Sequence, residues 1–126
     1  MNADLNYRVA TEVMGYSIHP IPFSMSRTLA DGYVETYFEM PDYSGDIAMA
    51  MLVVDELNKR KFTVAMCYQS EFFNSPIWYI SFVDNATREP YRAEAEGLPL
   101  AICIAALTIV AKLKAATETQ HESGNA

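Results

Sequence analysis

Most of the features that usually announce a function are missing from this 126-residue chain. There is no Ser-His-Asp order, no glycine-rich phosphate loop and no paired-cysteine motif. Of the two histidines, His19 stands alone in a proline-flanked loop and reads as structural or exposed, and His121 lies in the tail. No catalytic residue, metal ligand or cofactor is therefore expected, and an enzyme is the weaker class. Two cysteines, Cys67 in a strand-like run and Cys103 in a helix-like run, do not make a disulfide scaffold. Both read as buried, reduced thiols packed as small hydrophobes. Basic residues are few: nine against sixteen acids, for a formal charge of −7. A duplex nucleic-acid binder needs a basic face to neutralise phosphates, so that class is excluded in expectation. The N-terminus lacks the apolar core of a secretion signal. The longest apolar stretch, Leu98 to Ala111, falls short of the ~20 residues that span a bilayer. The expected setting is the cytoplasm, away from a membrane.

What is present is an ordinary globular balance, with 51% hydrophobic and 20% charged residues. That suits one domain with a real core and no staples. The domain is expected over residues 1–116, with a tail at 117–126 that has no core residue and reads as disordered.

Leu5, Val9 and Val13 recur four apart and predict a first helix from Ala3 to Met14, capped by Asn2 and stopped by Gly15. Pro20, Pro22 and Pro41 break the pattern that follows. The segment 18–40 reads as an irregular insert, with Tyr33 to Phe38 as an added strand or hairpin arm. A second helix is predicted from Ser44 or Gly45 to Arg60. Ser44 and Asp46 suit its start, and Ile47, Met51, Val54 and Leu57 form its expected core stripe. Phe62 to Tyr68 alternates as a strand. Asn74-Ser75-Pro76 signals a turn, Ile77 to Val83 is a strand apolar on both faces, and Tyr91 to Ala95 is a shorter third. Short connections make the three an antiparallel meander. Pro99 opens a last helix that is apolar nearly all round and ends near Lys114. Such a helix must be covered by the sheet and by something else, and a second subunit would serve. The expected fold is a three-layer α/β sandwich with a small, mainly antiparallel sheet and three helices, associating as a homo-oligomer.

Three stretches in order carry a likeness. Val9-Ala10 to Val13-Met14-Gly15, Pro41-Asp42-Tyr43-Ser44-Gly45-Asp46-Ile47-Ala48, and Ala95-Glu96-Gly97-Leu98-Pro99-Leu100 through Leu107 resemble the phage ABA sandwich domain family. Departures stand at Gly45, Met51 and Gly97-Leu98, where the family more often has threonine, tryptophan and Thr-Ala. The resemblance implies a layered sandwich, a phage or prophage source and no established enzyme activity. Some small phage proteins bind and sequester host immune nucleotides, and that role is an expectation from origin, not from a motif.

Ser44 and Asp46 are read as capping residues, and Glu94 and Glu96 as a solvated face. An arginine beside an aromatic ring suits a nucleotide, the guanidinium for phosphate and the ring for the base. The candidate ligand-binding residues on that ground are Phe23 with Arg27 in the insert, and Trp78, Arg88 and Arg92 in the meander. The first functional expectation is a non-enzymatic protein that binds a small anionic, nucleotide-like ligand as an anti-defence sponge. The other is an accessory protein that binds a host or phage protein through an acidic, aromatic patch around Tyr33–Phe38.

Overall fold

A computed structural model describes residues 2–72 and 75–124. Helix α1 spans Ala3–Arg8 and widens into a π-helical turn at Val9–Val13. Strands β1 (Ser17–His19), β2 (Ser24–Thr28) and β3 (Val34–Tyr37) follow. Then come α2 (Ile47–Lys59), β4 (Phe62–Phe72), β5 (Ser75–Asp84), β6 (Pro90–Ala95) and α3 (Leu98–Gly124). The mixed α/β sandwich class expected from the sequence is what forms, with wholly antiparallel pairing. The strands divide into two three-stranded sheets, β1-β2-β3 and β4-β5-β6. The first arises within the insert: β1, β2 and β3 are too short to show a period, and only the last was legible. The turn expected at Asn74-Ser75-Pro76 lies partly outside the described residues, as do the last two residues of the tail, whereas residues 117–124 continue α3, which ends at Gly124 rather than near Lys114.

The larger sheet is amphipathic by register. Phe82 pairs Val64 and Tyr91, and Ile80 pairs Cys67 and Ala93. Ile80, Phe82 and Tyr91 are buried on this helix-side face. Packed on it are α3, which touches β5 and β6, and α2, which touches β4. Burying a Phe or Ile side chain there stabilises by about 1.5–3 kcal/mol each.

Helix α2 starts at Ile47, two or three residues later than its expected boundary. Asp46, not Ser44, is the cap: its carboxylate accepts from the Ala48 N–H at 2.8 Å. Its buried residues are Ala50, Val53, Val54 and Leu57, whereas Ile47 and Met51 are exposed. The expected stripe holds at Val54 and Leu57 and fails in the first half, because eight consecutive apolar residues, Ile47–Val54, leave a 3.6-residue period without contrast.

Around α3, Ala101, Ile102, Cys103, Ala105, Ala106, Leu107 and Ile109 are all buried. The second covering comes from the same chain, since α3 packs on α2 and on the π-helical turn as well as on the sheet. A second subunit is not needed to cover this helix. The stretch Leu98–Thr117 is 20 residues and is apolar and long enough to cross a bilayer, longer than the sequence reading had it, yet it holds much of the core of this fold.

Candidate functional site

The face of the β4-β5-β6 sheet away from the helices is open. Alternation puts Met66 opposite Ser81, Tyr68 opposite Tyr79, Arg92 opposite Ser81 and Glu94 opposite Tyr79 on that one face. The twist of the sheet makes a concavity there of about 670 Å³, lined by Met66, Tyr68, Tyr79, Val83, Arg92 and Glu94 among others. The Tyr68 and Tyr79 rings stack, with centroids 5.0 Å apart and planes 14° from parallel. Desolvation, with the neighbouring Glu94 carboxylate, raises the Tyr79 hydroxyl above the usual phenol range and keeps it protonated. Arg92 is exposed and makes no ion pair among the described residues. Chemically this is a ring surface to stack on, one free guanidinium and one carboxylate.

Of the five residues expected to bind a ligand, only Arg92 lines the concavity. Trp78 pairs with Gln69 and Ala95, on the helix side of β5 and so across the sheet from Arg92. Arg88 sits in the β5–β6 turn with φ +66°, its N–H donating to the Asp84 carbonyl. Phe23 is half-buried against the core, next to β2.

Arg27 lies at the centre of a separate cluster. Its Nη1 donates to the Met14 carbonyl at 2.9 Å, and its guanidinium meets Glu35 of β3 at 3.6 Å and Glu56 of α2 at 3.5 Å. It also stands 4.7 Å from the centroid of the Tyr16 ring. Arg60 joins from the far side, 3.7 Å from Glu56 and bonded to the Val13 carbonyl. The cluster fastens the small sheet to the helices, and both charges nearest Arg27 are already answered. Tyr16 donates to Glu35, and its hydroxyl is raised by burial and by that bond. Burial pushes the Glu35 carboxyl up, but hydrogen bonding by Tyr16 and Tyr37 and the Arg27 guanidinium outweigh it, so the group is held below the usual carboxylate range.

That direction carries a pH dependence. A carboxyl depressed in the folded state adds stability above its unfolded value, about 4.3 for Glu, and the gain is lost as pH falls through the folded value. Glu35→Gln is therefore expected to be less stable than the wild type at pH 7, with the gap closing at acid pH. Paired urea melts at pH 7 and in acid check this; a gap independent of pH would remove Glu35 from the account.

A third polar group was not foreseen. Asn6 is fully buried: its Nδ2 donates to Asp42 at 3.0 Å and its Oδ1 accepts the Ser44 N–H at 2.9 Å. Gly45 completes the turn, because a Cβ there would lie 2.4 Å from the Asp42 carboxylate. The Asp42–Asp46 stretch is thereby explained as a structural joint. Cys103 is buried, and burial and the Asp42 charge push its thiol up to about 12. Cys67, expected to be buried, is exposed, because β4 is an edge strand. Among the described residues no group of histidine, cysteine and carboxylate side chains is arranged to hold a metal ion. Tyr68 and Met66 were missed as site residues. Their alternation along β4 was visible, but which face of the sheet stays open was not.

The family model described as the phage ABA sandwich domain matches residues 8–107. No curated protein and no solved structure matches the chain.

Proposed function

The chain belongs to the phage ABA sandwich domain family, and from that membership and the geometry of the open sheet face we propose a non-catalytic binding protein for a small, planar, anionic ligand of nucleotide type. The observation that carries this is the concavity that joins the stacked Tyr68–Tyr79 pair to the unpaired Arg92. Its volume falls within the ~300–1,000 Å³ typical of ligand sites. The rings offer a stacking platform, Arg92 a phosphate contact, and Glu94 an acceptor for an amino or hydroxyl group. A family phage protein with such a site, acting in the host cytoplasm, would sequester a host nucleotide signal.

Calorimetry against cyclic nucleotides and cyclic ADP-ribose isomers tests the reading. One of them is expected to bind, and Arg92→Ala to weaken it about tenfold or more, the loss of one charge-assisted contact. Heat from none of them would overturn it.

The second reading, a protein partner, has its own support. Tyr33, Val34 and Phe38 are exposed around edge strand β3, with Asp31 and Glu39 beside them. A pull-down from infected lysate that depends on Tyr33 and Phe38, with no nucleotide bound, would favour it.

A further inference from the structure

Strand β4 is the edge of its sheet over eleven residues, Phe62–Phe72, and is hydrogen-bonded to β5 on one side only. Its first part lies under α2, with Phe62 buried and Val64 half-buried. Beyond that the cover ends, and Ala65, Met66, Cys67, Tyr68 and Gln69 are all exposed, although alternate residues point to opposite faces. The segment Ala65–Gln69 is thus an exposed arm of β4 with a free edge.

Free edges of this length are ordinarily guarded by lysine, proline or an inward charge. Here no charged residue or proline occurs from Phe62 to Ser70, and none of the residues from Ile77 to Val83 on β5 is charged. The register shift at Ala65 is the single irregularity, and Met66 onward pairs regularly with Ser81 onward. Interface cores are depleted in charge and enriched in aromatic residues and methionine, the composition of this arm.

We propose that the free edge of β4, from Met66 to Ser70, pairs antiparallel with the same segment of a second copy, joining two sheets into one of six strands. A chain with a net charge of −7 repels its copy, and this arm is where two copies meet without adding like charges. Two identical strands related by a two-fold axis run antiparallel, so each meets the outward N–H and C=O groups of the other. Because the period is two, an even register sets Met66 and Tyr68 beside the same open face of the second copy.

Light scattering on the eluting protein at micromolar concentration is expected to give twice 14.1 kDa. Cys67→Lys and Gln69→Lys, each placing a charge on the exposed edge, are expected to return the mass to that of one chain with unchanged circular dichroism. Met51→Lys, on the exposed face of α2, is expected to leave it doubled. Hydrogen exchange on the wild type gives an arm that needs no variant: β4 amides are expected to slow about tenfold or more between dilute and concentrated protein, with α2 unchanged. A single-chain mass for the wild type, including one that captures a strand from another protein, overturns the proposal. So does a doubled mass that the β4 variants leave intact or that Met51→Lys abolishes, or β4 exchange that ignores concentration.

Discussion

Replacing Arg27 with methionine is expected to lower the unfolding free energy by about 3 kcal/mol, near the lower end of what breaking a partly buried ion pair costs. The guanidinium is largely buried, and its removal strands Glu35 and Glu56 in surroundings built for a cation. The Met14 carbonyl loses its donor as well. Two contacts moderate the loss: Tyr16 still serves Glu35, and Arg60 still serves Glu56. Methionine keeps much of the aliphatic length, so the change reports the charge rather than a cavity. Lysine would not rescue it, because one ammonium cannot reach a carbonyl and two carboxylates together as a planar fork does. Urea denaturation measures the difference, and the melting temperature should fall by roughly 10 °C. A loss below about 1 kcal/mol would mean that buried Met25 and its apolar neighbours, not the ionic cluster, hold the small sheet in place.

The second large effect is expected at Asn6. Asn6→Asp preserves shape and still accepts the Ser44 N–H, but it replaces the amide donor with a carboxylate oxygen facing Asp42 at hydrogen-bond distance. Two carboxylates at that separation in a buried site cannot both ionise without a large cost. The variant is expected to lose about 3–5 kcal/mol at neutral pH, as for a buried charge left unpaired. Its pH dependence identifies the cause. One carboxyl of the pair is raised in the folded state, so the penalty is fully present above that raised value and shrinks as pH falls through it. Asn6→Leu would also destabilise, since Ser44 N–H and Asp42 lose their partner, but without that recovery in acid. Melts of both variants across pH separate the two; an Asn6→Asp penalty that stays constant down to acid pH would mean that Asp42 is not the opposing charge.

Much of the fold could be read from the residues, and the parts that could not share a physical reason. The meander was legible because β4 alternates, β5 is a short apolar run bounded by turn signals, and short turns leave no room for a crossover. The start of α3 and the end of α2 were approachable because proline and terminal cations are local signals, but α3 runs to Gly124, ten residues past its expected end near Lys114. The first half of the α2 stripe was not legible, since a run of apolar residues is compatible with any face being buried: Ala50 and Val53 are buried there in place of Ile47 and Met51. Nothing in the local sequence marks Asn6, because a buried amide and a solvated one are the same letter. Its meaning depends on Asp42 and Ser44, 36 and 38 residues away. The candidate site divided in the same way. Arg92 was recognisable by chemistry, but the rings that share its sheet face are Tyr68 and Tyr79, while Trp78 stands on the other, because strand register decides which aromatic falls on which face.

The π-helical turn at Val9–Val13 has a consequence for the order in which the chain is made. It packs against α3 and α2, and Arg60 bonds its Val13 carbonyl across 47 positions. During synthesis Val9–Val13 therefore leaves the ribosome well before α3, against which it docks. The meander and α3, contiguous from Phe62 onward, form short-range contacts and can assemble as they emerge. The opening helix is thus the piece that closes the molecule, and a nascent chain stalled before α3 would hold it unplaced.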